Sequence, residues 1–338
     1  MEKKRVLVTG GAGFIGSELV RQLAALGHIV SVADNLVNGR RENLEPILGE
    51  HVKLVVADVR DQARMTELVS GTDLIFHLAC LGVRHSVHSP KENHDVNADA
   101  TLNLLLTARQ AEVERFVYVS TSEVYGTART VPMTEDHTTF PHTVYGASKL
   151  AGECYARAFW ETYQFPTVVV RPFNAYGPRC HHEGDSGEVI PKFMLRSLAK
   201  RPLVIFGDGS QTRDFTFVSD TARGILLAGT TSAAIGKTIN LGSGKEIRID
   251  KLAKKVAAVT GHPDAEVVRD QPRPGDVLRL FADSSRAQKL LGFTAEVTLD
   301  EGLGQLMAWY AAQGVAPEVL LKEEIERNWV AREAPAHV

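Results

Sequence analysis

The sequence is poor in cysteine and lacks long apolar segments. Its three cysteines, Cys80, Cys154 and Cys180, are odd in number and far apart, which excludes a disulfide framework and the paired spacing of a zinc site. No apolar stretch is long enough to span a bilayer, and none follows the opening residues as in a secretory signal. We therefore expect a cytoplasmic protein with reduced thiols and no membrane partner.

Basic clusters are also missing. No run of Lys and Arg exceeds three residues, and the formal net charge of the 338 residues is −3. The basic footprint of a nucleic-acid-binding protein is therefore absent, and we expect no nucleic-acid partner. With 44% apolar and 23% charged residues, the composition is that of a globular chain, which excludes disorder, collagen and coiled coil.

The first half alternates short β-branched runs with helix-length segments. Nearly continuous apolar strands joined by helices form parallel sheets that are covered on both faces. This pattern predicts an α/β fold with a doubly wound parallel Rossmann sheet in residues 1–172. Strands are predicted over residues 5–9, 29–33, 53–57, 74–78, 116–120 and 167–171, and helices over residues 14–26, 98–111 and 146–163.

The second half is divided into shorter pieces by glycine and proline. We assign residues 173–338 mainly to a smaller, mixed C-terminal substrate-binding domain, and we expect residues 334–338 to be a frayed tail. Helices are predicted over residues 189–199, 218–227, 251–259, 299–312 and 318–329.

A glycine-rich turn follows the first predicted strand. Residues 9–16 read TGGAGFIG and pass into a helical pattern. Gly10, Gly13 and Gly16 permit a tight turn and bring backbone N–H groups against a pyrophosphate at the start of the helix. Phe14 and Ile15 belong to the same turn. A strand, this turn and a helix together predict a dinucleotide site rather than an ordinary loop.

An acidic residue ends the second predicted strand. Asp34, followed by Asn35, stands where a carboxylate accepts both hydroxyls of an adenosine ribose. The same carboxylate repels a 2′-phosphate, which favours NAD over NADP as the cofactor. Arg40 and Arg41 are an argument for NADP, but a weak one, since they lie beyond the turn rather than beside the end of the strand. After the third strand, residues 58–59 (Asp58 and Val59) either flank the adenine or are only solvated.

A tyrosine and a lysine lie four positions apart at the start of a predicted helix. Residues 145–149 read YGASK, and this spacing places Tyr145 and Lys149 on one helix face. A phenol becomes a usable base near neutral pH only beside a fixed cation such as this lysine. The strand that ends at residues 120–126, STSEVYG, brings Thr121 to the edge of the sheet where ligands bind.

Taken together, these segments resemble a known family. The segments TGGAGFIG, DNL, HLA, STSEVYG, YGASK, RPFNAYGPR and GDGSQTRDF occur in the order found in extended short-chain dehydrogenase/reductases that modify nucleotide-sugars. The resemblance covers nearly the whole chain. It implies that Tyr145 is the base, that Lys149 holds the nicotinamide ribose and tunes Tyr145, and that Thr121 orients the 4-hydroxyl of the sugar.

The resemblance also implies ligand contacts and an assembly. Leu78 and Ala79 join the cofactor site, and the protein is expected to form a homodimer through two helices of its first half. Asn174, Arg213 and Arg273 match positions that bind the nucleotide diphosphate, which agrees with the bidentate bonding of arginine to phosphate. For Arg213, a surface ion pair with Asp214 is the alternative. The substrate contacts expected in full are Arg84, Ser86, Asn174, Val189, Arg213 and Arg273.

The reaction implied by the family begins with hydride removal from C4 of the sugar. The resulting ketone acidifies the C5 proton, and Glu123 is placed to remove it as a general base. In similar 4,6-dehydratases this base drives loss of the C6 hydroxyl, and we take 4,6-dehydration as the leading prediction. Ser122 departs from dTDP-glucose-type dehydratases, which carry Asp there, although GDP-mannose-type dehydratases also show Ser-Glu.

Other reactions and roles remain open. Residues 82–86, GVRHS, resemble a loop of UDP-hexuronate and UDP-HexNAc 4-epimerases, where Arg84 could pair with a substrate carboxylate. UDP-glucuronate decarboxylases share the Ser-Glu pair of residues 120–126. A non-catalytic NAD-sensing scaffold is the alternative of another class, but it would be expected to lack Thr121, Tyr145 or Lys149.

Three further features are expected to have other roles. Residues 181–185, HHEGD, are interpreted as a polar loop over the substrate, and we predict no metal site there. His77 is predicted to be a core histidine with satisfied hydrogen bonds. Cys80 is predicted to be a small, buried hydrophobic residue.

Overall fold

The computed structural model describes residues 2–184 and 186–330. The predicted tail at residues 334–338 lies outside the described residues, and so does Asp185 of the HHEGD segment. Within the described part of the chain, no helix has the length and apolarity needed to cross a membrane.

A parallel sheet of seven strands forms the centre of the molecule, in the order β11-β6-β5-β4-β1-β2-β3. Six strands come from the first half, and the sheet confirms the predicted doubly wound α/β fold. The central strands are β1 (Arg5–Thr9), β2 (Ile29–Asp34), β3 (Val52–Val56), β4 (Leu74–His77), β5 (Arg115–Val119), β6 (Thr167–Pro172) and β11 (Thr238–Leu241).

Helices cover both faces of this sheet because successive side chains of a buried strand point to opposite sides. In β1, Val6 and Val8 join the core on one face, whereas Leu7 joins the core on the other. The helices are α1 (Phe14–Ala25), α2 (Gln62–Val69), α3 (Val83–His88), α4 (Pro90–His94), α5 (Ala100–Gln110), α6 (Val144–Tyr163), α7 (Val189–Leu198), α8 (Val218–Thr230), α9 (Ile249–Val259), α10 (Ser285–Leu291), α11 (Leu299–Ala312) and α12 (Pro317–Leu320).

The second half builds a smaller core beside the end of the sheet. Phe193 of α7, Leu252 of α9 and Leu303 of α11 belong to it. Its strands form three pairs, which join β7 (Ala175–Tyr176) to β10 (Thr216–Phe217), β9 (Thr212–Asp214) to β12 (Glu246–Arg248), and β8 (Leu203–Phe206) to β13 (Val267–Asp270). The domain division at residue 172 stays a prediction, and the sheet draws strands from both sides of it because β11 pairs with β6.

One predicted helix, over residues 318–329, is wrong. Only Pro317–Leu320 is α-helical, and a short 3₁₀ turn at Leu321–Glu323 ends the regular structure. Tertiary contacts hold the rest of the segment in an irregular path: Lys192 Nζ donates to the carbonyl oxygen of Ile325 over 2.7 Å, and the ring of Trp329 lies 4.6 Å from that of Phe206. These contacts outweigh the local helical pattern.

Candidate active site

A cavity of about 950 Å³ opens at the carboxyl ends of β1, β2, β4 and β5, where ligands bind in doubly wound folds. It also reaches α7 and the second half of the chain. Most of the predicted site residues line this one cavity. They are Gly10, Gly13, Phe14, Ile15, Gly16, Asp34, Asn35, Val59, Leu78, Ala79, Arg84, Thr121, Ser122, Glu123, Tyr145, Lys149, Asn174, Val189, Arg213 and Arg273.

Two predicted residues are not brought into the cavity. The Asp58 carboxylate pairs with Arg60 over 2.7 Å and accepts a hydrogen bond from Asn35 Nδ2 over 3.1 Å. Ser86 is buried in α3, where its hydroxyl donates to the carbonyl oxygen of Val83 over 2.7 Å. Neither side chain lines the cavity.

The glycine-rich turn is packed tightly against its neighbours. Gly10 adopts a φ of +70°, and a Cβ there would lie 2.6 Å from the backbone nitrogen of Ala79. A Cβ on Gly16 would lie 2.1 Å from the carbonyl oxygen of Gly10. Gly13 is the N-cap of α1 and provides no side chain to cap its N–H groups. The first turn of α1 therefore directs its backbone donors at the cavity, an arrangement that suits a phosphate group.

Asp34 is fixed at the end of β2 by the backbone. Its Oδ2 accepts from the Ala12 N–H and its Oδ1 from the Leu36 N–H, each over 2.9 Å. Burial raises the pKa of this carboxyl group, and the two hydrogen bonds oppose the rise. Arg40 is paired with Glu183 over 3.1 Å and with Glu323 over 3.5 Å, so its charge is compensated within the protein.

Tyr145 and Lys149 lie on one face of α6. The helix begins at a Thr143 cap, whose hydroxyl accepts from the Gly146 N–H over 3.1 Å. Lys149 is fully buried, and its Nζ donates to the carbonyl oxygen of Val119 over 2.7 Å. The same nitrogen lies 4.5 Å from the centre of the Tyr118 ring. The lysine is therefore fixed at the end of β5, beside the cavity.

Tyr145 has a raised pKa in the protein alone. Burial is the main cause, the charge of Cys80 adds to it, and the Thr121 hydroxyl opposes it through a hydrogen bond. Burial likewise lowers the pKa of Lys149. Lowering the pKa of the phenol therefore requires a further positive charge at the site, because the lysine does not offset burial by itself.

Glu123 follows Thr121 on a short 3₁₀ turn, Ser122–Tyr125. The Thr121 hydroxyl accepts from the Glu123 N–H over 3.2 Å and so fixes the turn. Among residues 2–184 and 186–330, no hydrogen bond or ion pair occupies the Glu123 carboxylate. Burial raises the pKa of Glu123, while the charges of Arg213 and Arg84 oppose the rise. The result is an available carboxyl group in the same cavity as Tyr145.

Three arginines converge on the part of the cavity nearest the second half. Arg213 Nη2 bonds to Asp276 Oδ1 over 2.8 Å. The Arg273 guanidinium lies 4.5 Å from the centre of the Phe206 ring, and burial lowers its pKa to about 10. Arg84 forms no ion pair within the described part of the chain. Such a cluster suits a diphosphate or a carboxylate.

The alternative ion pair between Arg213 and Asp214 is wrong. The Asp214 carboxylate is buried and accepts instead from the Ser243 and Gly244 N–H groups, over 2.9 and 3.0 Å. Asn174 and Val189 both line the cavity, and Asn174 Nδ2 donates to the carbonyl oxygen of Asp214 over 3.3 Å. The amide of Asn174 is thereby fixed beside the arginines.

His77 matches its prediction, whereas Cys80 does not. The buried His77 ring bonds to Thr9 Oγ1 over 2.6 Å and to Thr101 Oγ1 over 2.9 Å. Burial lowers its pKa to about 3, so the ring is neutral. Cys80 is only half-buried and lines the cavity, because it follows β4 at the open edge of the sheet.

Several cavity residues escaped the sequence analysis. Glu188, just before α7, lies three residues beyond the HHEGD segment, and His181 and Glu183 of that segment also line the cavity. Lys192 of α7 lies in the cavity wall, and burial lowers its pKa to about 8. The described residues contain no group of three or more side chains suited to a metal ion.

Comparisons with known proteins give a consistent family. The family model described as GDP-mannose 4,6 dehydratase matches residues 7–306. A UDP-glucose 4-epimerase of Mycolicibacterium smegmatis is 38% identical over 311 residues, which cover 90% of this chain and 98% of that protein. A UDP-N-acetyl-alpha-D-glucosaminuronate decarboxylase of Bacillus cytotoxicus is 33% identical over 324 residues, which cover 91% and 98%.

The similarity extends to solved structures. A dTDP-glucose 4,6-dehydratase from Streptomyces venezuelae, solved with NAD bound, is 33% identical with a TM-score of 0.86. The match covers 91% of this chain and 97% of that chain. Because the family model and these relatives each span about nine-tenths of the sequence, the chain belongs to the extended short-chain dehydrogenase/reductases that act as nucleotide-sugar epimerases and dehydratases.

Proposed function

We propose that this protein is an NAD-dependent 4,6-dehydratase of a nucleotide-diphosphate sugar that works through a transient 4-keto sugar. The observation that carries the proposal is the available carboxyl group of Glu123, which lines the same cavity as Tyr145 and Thr121. A simple inversion at C4 needs no base for C5, whereas elimination across C5 and C6 does.

NAD is the proposed cofactor, and the residues present fit it. The uncapped first turn of α1 and the cradle at Gly10 and Gly16 would hold the pyrophosphate, and Asp34 would accept the ribose hydroxyls. When bound, NAD supplies the group that accepts and returns the hydride, and it also supplies the positive charge needed to lower the pKa of the Tyr145 phenol. Because Arg40 is paired with Glu183 and Glu323, it is not available for the 2′-phosphate of NADP.

The first step draws on Tyr145 and Thr121. The phenolate oxygen of Tyr145 takes the proton of the sugar 4-hydroxyl, while a hydrogen bond from the Thr121 hydroxyl holds the 4-oxygen of the sugar in place. Lys149, fixed by the carbonyl of Val119, stabilises the phenolate by its charge. Arg213 and Arg273, which line the same cavity, would hold the diphosphate.

The second step draws on Glu123. Once C4 is a ketone, the C5 proton becomes acidic, and the Glu123 carboxylate removes it. Arg213 and Arg84 favour the ionised form of this carboxyl group, while burial increases its affinity for the proton that it takes.

Product mass tests this proposal. The protein with NAD is incubated with dTDP-glucose, GDP-mannose, UDP-N-acetylglucosamine and UDP-glucuronate, and the products are analysed by mass spectrometry. We expect a product lighter by one water from one of the three neutral sugars. A product of unchanged mass with a new ring-proton pattern would instead show 4-epimerisation.

Arg84 supports a second candidate function. It lines the cavity near Glu123, is half-buried, and has no partner carboxylate among the described residues. A free guanidinium at this point suits a hexuronate substrate, for which 4-epimerisation and decarboxylation are the two reactions. Loss of CO2 from UDP-glucuronate, or its conversion to an isomer, would favour this candidate in the same experiment.

We also propose that the protein is a homodimer. Leu106 of α5 and Tyr163 of α6 are exposed on helices of the first half, and a contact between two copies would cover them. Sedimentation velocity at micromolar concentration should show a dimer. Sedimentation of the intact chain as a monomer would contradict this part of the proposal.

A further inference from the structure

The proposed dehydration requires an acid as well as a base. Hydroxide is a poor leaving group, so the C6 oxygen must receive a proton as its bond to carbon breaks. Ser122 occupies the position next to Glu123, but it carries a hydroxyl group, which is a much weaker acid than a carboxyl group. The donor has to come from another part of the cavity.

Glu188 is a second carboxyl group of the cavity whose charge acts on Tyr145. It lines the cavity, and its charge, like that of Glu123, contributes to the raised pKa of Tyr145. Its backbone is fixed, because its N–H donates to the carbonyl oxygen of His181 over 2.8 Å and its carbonyl oxygen accepts from the Lys192 N–H over 3.3 Å. Within residues 2–184 and 186–330, no hydrogen bond or ion pair occupies its side-chain carboxyl.

The surroundings of Glu188 increase its affinity for a proton. Burial raises its pKa to about 7, the charge of Glu183 adds to the rise, and His181 opposes it. Cys180 and Tyr310 also face this carboxyl group, whose charge raises the pKa of both. They are neutral near pH 7, since burial raises both pKa values well above the usual range.

Glu183, five positions earlier, is a useful contrast. It bonds to His181 Nδ1 over 2.9 Å and to Arg40 over 3.1 Å. Its pKa is lowered to about 2: burial opposes this shift, and the hydrogen bond and charge of His181 produce it. It is therefore ionised at neutral pH and has no proton to give, although it lines the same cavity.

We propose that Glu188 is the general acid that protonates the leaving C6 oxygen of the sugar. In this step the C5 proton goes to Glu123 and the C5–H electron pair forms the C5=C6 double bond. The C6–O bond breaks, its electron pair stays on oxygen, and the carboxyl proton of Glu188 completes a water molecule. This inference rests on the proposed dehydration.

A leaving group that needs no proton provides the test. Glu188→Gln is compared with the wild type on the neutral nucleotide-sugar that the wild type dehydrates, and on its 6-deoxy-6-fluoro analogue. We expect elimination of water to slow by at least about 100-fold, within the range of general acid catalysis, and elimination of fluoride to slow by less than about threefold. Reduction of NAD on mixing with substrate should persist, which shows that the variant is folded and still oxidises C4.

Matched variants complete the experiment. Glu318→Gln, at an exposed position of α12 that does not line the cavity, should retain elimination of water. Glu123→Gln should lose elimination from both the hydroxyl and the fluoro substrates. If Glu188→Gln eliminates water at the wild-type rate, or if elimination of water and of fluoride slow equally, Glu188 is not the acid. If the wild type itself forms only an isomer or loses CO2, the proposed dehydration fails first and the inference falls with it.

Discussion

Replacing Gly16 by alanine tests the shape of the proposed pyrophosphate cradle. The added Cβ would lie 2.1 Å from the carbonyl oxygen of Gly10, 2.8 Å from the Cα of Gly11 and 2.9 Å from the carbonyl carbon of Gly10. All three are backbone atoms, so no rotamer change can relieve the overlap. Since ordinary contacts begin near 3.4 Å, the turn must move by about 1 Å.

The size of the effect follows from the cost of overpacking. Inserting a methyl group into a filled site costs about 1–3 kcal/mol. If the turn moves away from its binding geometry, that cost appears in cofactor affinity as a loss of about 5- to 150-fold, at 1.4 kcal/mol per tenfold change. Isothermal titration calorimetry with NAD, together with thermal unfolding, separates a loss of affinity from a loss of stability.

Two other glycines provide controls. Gly304, in the middle of α11, has no atom within 4 Å of a built Cβ, so Gly304→Ala should leave NAD affinity unchanged and stabilise the helix by about 1 kcal/mol or less. At Gly13 the nearest atom lies 3.2 Å away, and a smaller effect is expected. If Gly16→Ala binds NAD with the wild-type affinity, the turn at Gly10 and Gly16 does not hold the pyrophosphate as proposed.

Three further variants test other parts of the account. Tyr145→Phe should slow NAD reduction by substrate by at least about 100-fold and leave NAD affinity unchanged; undiminished reduction would remove its role as base. Arg213→Ala should raise the substrate KM by about 10- to 100-fold, as expected for a lost charge-assisted hydrogen bond. Arg248 is exposed, and Arg248→Ala should leave KM unchanged; an equal KM for the two variants would place the diphosphate elsewhere. Arg171→Met should lower the free energy of unfolding in urea by about 3 kcal/mol, because the fully buried Glu153 carboxylate loses its bidentate partner, whose bonds measure 2.9 and 2.6 Å. Glu153 then keeps only the partly exposed Arg157, at 3.1 Å. Unchanged stability would contradict this.

The sheet was predictable because its signals are local. The strand at residues 5–9 and the helix at residues 299–312 match the structure at both ends, since apolar periodicity and turn glycines mark them directly. The C-terminal segment was not predictable in this way. Its path depends on contacts with Lys192 and Phe206, more than a hundred residues earlier in the chain.

The same distinction applies to the candidate site. Tyr145, Lys149 and the glycine-rich turn have fixed spacings along the sequence, and these spacings place them together. Glu188 belongs to no motif of fixed spacing. Its raised pKa depends on burial by neighbours that only the fold brings together. The partner of Arg213 was likewise not predictable from the sequence, since Asp276 is 63 positions away in the chain.

Turnover in deuterated water tests the central claim most directly. The wild type and Glu123→Gln are each incubated with NAD and the nucleotide-sugar in ²H₂O, and the products are analysed by mass spectrometry and NMR. The account predicts that the wild type forms a product lighter by water with one solvent deuterium at C5, and that Glu123→Gln reduces NAD but forms no such product. An isomer of unchanged mass with no deuterium at C5 would contradict the role of Glu123 and the dehydration built on it.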